Sequence, residues 1–246
     1  MADELTEAGG RIRLYVTADL GESAAVTLSD GQSHYLLHVM RARAGDGLRL
    51  FNGRDGEWAG EITAATKRGV TVTASAHTAR QAESPDIWLC FAPVKKTPAD
   101  YLAQKATELG VSKLQPVFTR RTIVTRVNRE RLLANAVEAA EQSDRLSVPD
   151  IGEPLALEKL LASWPRERRL YFCDEGGDAR PLAAVAQPAP AAILTGPEGG
   201  FDPAERELLR AQGFVTPVTL GSRILRADTA ALAALALWQG AVGDGR

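Results

Sequence analysis

The sequence predicts a two-domain α/β protein, with a small β-barrel over residues 11–80 and an α/β domain built on a mainly parallel sheet over residues 85–246. Two observations carry this prediction. Up to residue 80, short apolar segments follow one another at brief intervals between Gly and Asp residues, which is typical of a small barrel. Beyond the polar, proline-containing segment 78–86, strand-like and helix-like segments alternate, which favours parallel strands joined by helices.

The first domain is predicted to consist of short strands and one short helix. The strand-like segments are RLYV, AAVTL, DGLRLF, WAGEITAA and GVTVTASA. The helix is predicted over HYLLHVMR (34–41), and Ser33, directly before it, is the expected N-cap.

The second domain is predicted from strands and helices with recognisable end signals. Its strands are expected at 87–93, 113–118, 169–174, 191–196 and 214–221. Its helices are expected at 97–110, from Arg129 to about Arg145, from Asp202 to before Gly213, and at 227–240. Thr97, Pro98 and Gly110 are typical helix boundary residues. Asp202 and Glu205 have the spacing of a capping box.

The composition is that of a globular protein and excludes several other classes. The chain has 246 residues, 45% hydrophobic and 24% charged, and its net charge of −2 gives no global field that would attract nucleic acid. Its most apolar segment (230–238) is too short to span a bilayer, so no membrane association is expected. MADELTEAGG lacks the apolar core of a signal peptide, and Cys90 and Cys173 are expected to be buried free thiols. These features favour a cytoplasmic location.

Basic residues are clustered in spite of the acidic balance. From Lys113 to Arg131 there are six Lys or Arg residues and one acidic residue, Glu130, and between His34 and Arg54 there are four Arg residues (41, 43, 49 and 54) and one acidic residue, Asp46. Such clusters are usually solvated faces, but two of them on an acidic chain also fit a polyanionic partner. The residues expected to contact RNA phosphates are Arg11, Arg41, Arg43, Arg120, Arg121 and Arg126.

Two glycine-containing loops follow strands of the predicted parallel sheet, TGPEGG (195–200) and LGSRILR (220–226). Ligands bind outside the carboxyl ends of parallel strands, and glycine lets backbone groups approach a ligand closely. Neither loop has the Gly-x-Gly-x-x-Gly pattern of a dinucleotide site or the Gly-Lys-Ser/Thr of a P-loop. A tight turn before a helix explains the first loop equally well by itself, but the second loop favours a binding site.

These loops carry a resemblance to a known family. LTGPEGGF followed by LGSRILRADTA resembles the signature of the SPOUT-class methyltransferases, and more narrowly that of the bacterial 16S ribosomal RNA (uracil-1498-N3)-methyltransferase family. KATELGV (105–111), AAEQSDR (139–145) and HYLLHVMRARAGD (34–46) extend the resemblance over nearly the whole chain. Two positions depart from the family pattern: Asp144 stands where glycine is expected, and Ala227-Asp228 replaces a longer polar and acidic pair.

The resemblance implies an N-terminal PUA-like barrel, a C-terminal SPOUT domain with a trefoil-knotted backbone, and a homodimer. It also implies S-adenosylmethionine as the methyl donor, held in the knotted loops largely by backbone groups that the glycines leave bare. The cofactor-binding residues that it implies are Leu194, Thr195, Gly196, Glu198, Gly199, Gly200, Leu220, Gly221, Ile224 and Leu225. Of these, Ile224 and Leu225 are expected to form apolar walls.

Methylation of uracil N3 requires removal of the N3 proton or stabilisation of the resulting anion. Glu198 is the candidate base or polar contact, and Arg226 is the candidate for holding a phosphate or the developing anion; these are the predicted catalytic residues. The alternatives are a solvated Glu198 that only shapes the turn and an Arg226 that pairs with Asp228 or a neighbouring carboxylate. His34 and His38 are four residues apart but lack a third ligand, so no metal site is expected.

The leading hypothesis is therefore a methyltransferase that uses S-adenosylmethionine to modify N3 of uridine 1498 in 16S ribosomal RNA of the small ribosomal subunit. One alternative is an RNA-binding assembly factor without catalytic activity, against which the two intact loops argue. Another is a SPOUT enzyme that methylates a different base or a ribose. The β domain with its basic residues favours the uridine family over this last alternative.

Overall fold

A computed structural model describes residues 12–66, 69–94, 99–174 and 178–245. The described chain divides into two compact units. The first contains the residues up to Glu83 together with Ala140–Ser147, and the second contains Ser84–Ala139 and the residues from Val148 onwards. No pattern in the sequence indicated that residues 140–147 belong with the first unit.

The first unit is built on a five-stranded sheet with the order β1-β3-β4-β5-β2. Its strands are β1 Arg13–Tyr15, β2 Ala25–Thr27, β3 Gly47–Phe51, β4 Glu57–Thr66 and β5 Gly69–Ala79. β1 pairs with β3 in parallel, and the other neighbours are antiparallel. Alternate side chains of these strands, such as Leu48, Leu50 and Val72, are completely buried in an aliphatic core.

The helix of the first unit begins earlier than the sequence predicts. α1 spans Asp30–His34 and continues as a π-helical turn over Tyr35–Val39. Ser29 is the N-cap: its hydroxyl accepts a hydrogen bond from the Gln32 N–H, and the Gln32 side chain accepts one from the Ser29 N–H. Ser33 is buried and accepts a hydrogen bond from β5 instead. The prediction of Ser33 as the cap was wrong because apolar periodicity marks the buried face of a helix, not its first turn.

A buried ion pair joins β1 to β4 in the first unit. The Arg13 guanidinium binds the Glu57 carboxylate, and their side chains are only 2% and 7% exposed. Arg13 also donates to the carbonyl oxygens of Ala140 at 2.7 Å and Arg145 at 2.6 Å. This one side chain therefore holds residues 140–147 against the sheet.

The ion pair sets the protonation state of Glu57. Burial acts to raise the pKa of this carboxyl, but hydrogen bonds from Arg13 and Thr78 and the charges of Arg13 and Arg49 outweigh burial and lower it. Glu57 therefore stays ionised inside the first unit.

Asp144 adopts the left-handed backbone conformation, with φ of 55°. This explains why the family pattern has glycine at this position, and aspartate is one of the few other residues that tolerate the conformation. Its carboxylate lies 3.9 Å from Nε of Arg13 and 3.8 Å from Nη1 of Arg49, so the substitution adds a negative charge beside two arginines.

The second unit is built on a parallel sheet of eight strands. The order is β11-β13-β10-β12-β6-β7-β8, and β9 also pairs with β7. The strands are β6 Ile87–Phe91, β7 Lys113–Phe118, β8 Asp150–Ile151, β9 Leu155–Ala156, β10 Arg169–Cys173, β11 Arg180–Pro181, β12 Ala191–Thr195 and β13 Val215–Thr219. Every described pair in this sheet is parallel, which confirms the prediction.

Helices cover both faces of the parallel sheet. They are α2 Ala99–Glu108, α3 Arg129–Gln142, α4 Leu157–Ala162, α5 Leu182–Val185, α6 Pro203–Arg210 and α7 Ala227–Val242. One apolar core contains side chains of α2, α5 and α7, and a second core contains those of α4 and α6. Leu235 and Trp238 of α7 are completely buried, as expected for the most apolar segment. None of the described helices is long and apolar enough to cross a membrane.

Some predicted helix and strand ends differ from the structure. α3 ends at Gln142 and does not continue to about Arg145, because Asp144, two residues later, has a left-handed backbone conformation that a right-handed helix cannot contain. The strand predicted over 87–93 ends at Phe91. Thr97 and Pro98, the predicted start of α2, lie outside the described residues. The predicted capping box of α6 is confirmed, since Asp202 is the N-cap and Glu205 bonds back to its N–H.

Replacing Glu57 with glutamine is expected to destabilise the protein by about 3–5 kcal/mol at neutral pH, because the buried Arg13 loses its counter-charge. The folded-state pKa of Glu57 is lowered, so its contribution is present above the usual carboxyl pKa and is lost as the pH falls through the lowered value. Urea unfolding at neutral and acidic pH measures both effects, and the variant should lose less stability on acidification than the wild type. Glu61→Gln, at an exposed position of the same strand, is the control. Equal unfolding midpoints for the two variants would contradict the expectation.

Candidate active site

The two glycine-containing loops leave the same edge of the parallel sheet. The first follows Thr195 at the end of β12, and the second follows Thr219 at the end of β13. β10 lies between these two strands. Since neighbouring strands are about 4.8 Å apart, the loops begin roughly 10 Å from each other.

A pocket lies at this edge of the sheet. It is lined by Phe91, Ala92, Pro93, Val94, Ala99, Leu102, Thr195, Ala227 and Asp228. The Ala92 N–H donates to the Thr195 carbonyl at 3.0 Å and so holds the ends of β6 and β12 side by side. The pocket is therefore formed by two neighbouring strand ends, the start of α2 and the start of α7.

Of the predicted cofactor-binding residues, Thr195 lines this pocket. The Leu194 side chain is completely buried in the core against α4 and α6, so only its backbone is left for a ligand. Ala227 and Asp228 line the pocket although the sequence had assigned them no role. Their position directly after LGSRILR could have identified them from the sequence. Phe91 could not be identified in this way, because its place at the pocket depends on the order of the strands in the sheet.

The glycines of the first loop are explained by different structural requirements. A Cβ on Gly196 would lie 2.7 Å from the Phe201 ring, so packing inside the loop requires glycine there. Gly200 has φ of 67°, in the left-handed region. A Cβ on Gly199 would meet Arg121 at an ordinary 3.7 Å. The fold by itself therefore accounts for Gly196 and Gly200, and the role of Gly199 in ligand binding stays a prediction.

The second loop is closed on itself at its start. The Thr219 hydroxyl accepts a hydrogen bond from the Gly221 N–H at 3.2 Å and donates to the Gly221 carbonyl at 3.1 Å, and Gly221 has φ of 118°. Leu220 packs against the core beside α7. Leu225 is half-buried, whereas Ile224 is 88% exposed. The apolar walls expected from Ile224 and Leu225 stay a prediction.

Both predicted catalytic side chains are exposed. Within the described residues, the Glu198 carboxylate has no hydrogen bond or ion pair. Arg226 is the N-cap residue of α7, with an extended backbone, and its side chain makes no capping bond. The described structure has no salt bridge between Arg226 and Asp228, whose carboxylate accepts a hydrogen bond from the Thr229 N–H at 2.8 Å. The alternative of an Arg226–Asp228 pair is therefore wrong.

Arg120 and Arg121, which were predicted to bind RNA, contact the first loop and the helix after it. The Arg121 guanidinium donates to the Gly199 carbonyl at 2.8 Å. The Arg120 N–H donates to the Glu205 carboxylate at 2.8 Å, and its guanidinium binds Asp202 at 3.1 Å. These bonds tie residues 120–121 to both ends of the segment 199–205, so the two arginines have a structural role here.

Four of the eight other residues of the two basic clusters are also paired with carboxylates within the chain. The ion pairs are Arg49–Glu57, Arg54–Asp19, Arg129–Glu153 and Arg131–Asp100. Of the residues predicted to contact RNA, Arg41, Arg43 and Arg126 are exposed, and in the described part of the chain their side chains have no ion pair. Arg11 lies outside the described residues.

Comparison with known proteins defines the class of the molecule. A family model described as an RNA methyltransferase domain matches residues 82–239, and one described as an RNA methyltransferase PUA domain matches residues 28–75. The fold and the site are thus those of an RNA methyltransferase with an N-terminal PUA-like domain.

Relatives over nearly the whole chain define the particular family. The ribosomal RNA small subunit methyltransferase E of Rickettsia conorii is 33% identical over 91% of this chain and 93% of its own length, and that of Synechocystis is 32% identical over 91% and 76%. The structure of the Neisseria gonorrhoeae ribosomal RNA small subunit methyltransferase E bound to S-adenosyl methionine has a TM-score of 0.87 at 30% identity and covers 96% of this chain and 99% of that one. A Legionella pneumophila methyltransferase with bound cofactor SAM has a TM-score of 0.86 at 30% identity, with 95% and 98% covered. This chain belongs to the ribosomal RNA small subunit methyltransferase E family. The resemblance and the fold class are confirmed, and the trefoil knot stays a prediction.

Gly196→Ala is expected to destabilise the free protein by about 1–3 kcal/mol, because the new methyl group would displace the Phe201 ring. Gly199→Ala in the same loop is the matched control and should change stability by at most about 0.5 kcal/mol. Urea unfolding without ligand measures both values. Equal destabilisation by the two variants would show that packing on Phe201 does not explain the glycine.

Proposed function

We propose that this protein is an S-adenosylmethionine-dependent methyltransferase that methylates N3 of uridine 1498 in 16S ribosomal RNA of the small subunit, in the cytoplasm. The observation that carries the proposal is the pocket at the ends of β6 and β12, which is lined by Thr195 of the first glycine-containing loop and by Ala227 and Asp228, the two residues that follow the second loop. It lies in a chain whose relatives are named ribosomal RNA small subunit methyltransferase E and include one solved with S-adenosyl methionine.

The residues around the pocket fit this cofactor. Phe91 and Leu102 supply apolar surface that suits an adenine ring. The Thr195 hydroxyl can hydrogen-bond polar groups, and the Asp228 carboxylate complements a positively charged ligand. Gly199 has no side chain of its own between its backbone and a ligand. The cofactor supplies a methyl group on a positively charged sulfonium, for which no metal is required.

Before uracil N3 can accept the methyl group, its proton must be removed or the negative charge of the resulting anion must be stabilised. Glu198 is the candidate base, because its exposed carboxylate lies in the first glycine-containing loop and has no partner among the described residues. Arg226 is the candidate for stabilising negative charge on the uracil carbonyl oxygens. Its position supports this role, since the two residues that follow it line the pocket.

RNA binding and dimer formation complete the proposal. Arg41, Arg43 and Arg126 are the residues proposed to contact phosphates, since their side chains are exposed and without ion pairs in the described structure. The chain is proposed to act as a homodimer. Exposed large apolar side chains on helices of the second unit, at 40–44% exposure, are the kind of surface that a dimer covers; they are Tyr101, Leu133 and Leu237.

The decisive experiment is incubation with radiolabelled S-adenosylmethionine and small ribosomal subunits that lack the modification, followed by RNA digestion and identification of the labelled nucleoside. Label in 3-methyluridine at the expected position supports the proposal. Label in another nucleoside would support the proposed cofactor but show that the proposed target nucleotide is wrong. Failure to bind the cofactor would overturn catalysis and favour the RNA-binding assembly factor.

Glu198→Gln and Arg226→Ala are each expected to lower the turnover number by about 100-fold or more, because both groups act on charge that develops during the reaction. Cofactor affinity, measured by calorimetry, should change much less than turnover. Glu207→Gln, an exposed carboxylate on α6, is the control and should keep full turnover. A loss confined to cofactor affinity would assign Glu198 and Arg226 to binding only.

Single substitutions of Arg41, Arg43 and Arg126 by glutamine are expected to weaken RNA binding for all sequences alike. Each should reduce the slope of log affinity against log salt by about 0.7–0.9, the effect of one lost phosphate contact. Arg54→Gln is the matched control, because Arg54 is already paired with Asp19 at 2.7 Å. Fluorescence anisotropy with labelled RNA over a salt series measures the slopes, and equal slopes for all four variants would contradict these assignments.

A further inference from the structure

A second cavity of the parallel-sheet unit shares no lining residue with the candidate active site. This cavity, the edge groove, lies beside β13, β10 and α5 and has an empty volume of about 780 Å³. Its polar lining consists of Arg169, Arg180, Gln187 and Thr216, and its remaining wall is the segment 184–186.

Strand register places the polar side chains of the edge groove on one face of the sheet. Tyr171 of β10 pairs with Thr216 of β13, so their side chains point to the same face. Arg169, two residues before Tyr171, shares that face because side chains alternate along a strand. Arg180 of β11 pairs with Val218, two residues after Thr216, and so continues the same row. The sheet thus presents two guanidinium groups and a hydroxyl in one line.

The opposite wall of the edge groove is held in place by two buried aromatic side chains. The Tyr171 hydroxyl accepts a hydrogen bond from the Gln187 N–H at 2.7 Å. The Trp238 indole N–H donates to the Gln187 carbonyl at 3.1 Å. Both backbone groups of Gln187 are therefore fixed, and its side-chain amide is left at the groove. The wall is formed before any ligand binds.

The edge groove has positive charge and unused hydrogen-bond donors. Arg169 donates one hydrogen bond, to the Gly213 carbonyl at 3.0 Å. Within the described residues, the side chains of Arg180, Gln187 and Thr216 make no hydrogen bond or ion pair. No described Asp or Glu lines the groove. Asp178, close to Arg180 in sequence, binds Arg210 instead.

We propose that the edge groove binds a phosphate group, with Arg169 and Arg180 as the cationic contacts and Thr216 and Gln187 as neutral donors. Guanidinium groups match phosphate oxygens in geometry and charge, and uncharged donors satisfy the remaining oxygens. The phosphate belongs either to the backbone of bound RNA or to a free phosphorylated molecule, because both present the same oxyanion. The edge groove contains no residue of the candidate active site or of its two loops, so this proposal does not depend on the proposed function.

The first test is a calorimetric titration of the full chain with inorganic phosphate. A titration with chloride at equal ionic strength is the reference. Arg180→Gln is the informative variant, because Arg180 is exposed and the described structure gives it no partner. Lys159→Gln is the matched control: it removes the same charge from an exposed position on α4, which packs on the other core of the unit. Wild type and the control should bind phosphate equally, and Arg180→Gln should bind at least about tenfold more weakly.

The second test is RNA binding by the same three proteins over a salt series. If the slope of log RNA affinity against log salt falls by about 0.7–0.9 in Arg180→Gln but not in Lys159→Gln, the phosphate belongs to the RNA backbone. A loss of phosphate affinity with an unchanged RNA slope would assign it to a free phosphorylated molecule. If Arg180→Gln changes neither value relative to Lys159→Gln, the proposal is wrong. Neither assay uses S-adenosylmethionine or turnover, so failure of the proposed function would leave both results interpretable.

Discussion

The parallel pairing of β12 with β6 is the interaction on which the candidate active site depends. Five residue pairs join the two strands, from Ala191 with Ile87 to Thr195 with Phe91. The hydrogen bond from the Ala92 N–H to the Thr195 carbonyl continues the pairing just past the strand ends. Because the strands run in the same direction, both release their following segments at one edge. An antiparallel pair would place Phe91 and Thr195 at opposite edges, and no pocket could form between them.

Packing and hydrogen bonds shape the first loop before a ligand arrives. The Phe201 ring lies over Gly196 and meets Phe172 edge to face, with ring centroids 4.9 Å apart. Arg121 holds the Gly199 carbonyl from outside. The loop therefore has little conformational freedom left to lose on binding, which favours affinity. The sequence predicted that Arg121 contacts RNA, but in the structure its guanidinium holds the first loop in place.

The distribution of paired and unpaired arginines explains how an acidic chain can bind a polyanion. Five of the ten clustered cations are paired with carboxylates within the same unit, as in Arg54–Asp19 and Arg131–Asp100. A net charge of −2 supplies no long-range attraction for a polyanion, so the proposed RNA contacts would be short-range contacts of arginines that have no ion pair in the described structure. Arg126 and Arg180 are two such residues in the second unit.

Features that depend on neighbouring residues were predictable from the sequence: the alternation of strands and helices, the capping box of Asp202 and Glu205, and the two loops with their family signature. Contacts between distant parts of the chain became visible only in the folded protein: which strand ends meet, that Asp228 lines a pocket with Phe91, and that Arg13 binds the carbonyl groups of Ala140 and Arg145. The difference lies in the range of the interactions. Caps, turns and periodicity involve residues a few positions apart, whereas strand order and buried ion pairs join residues whose contact depends on the path of the whole chain.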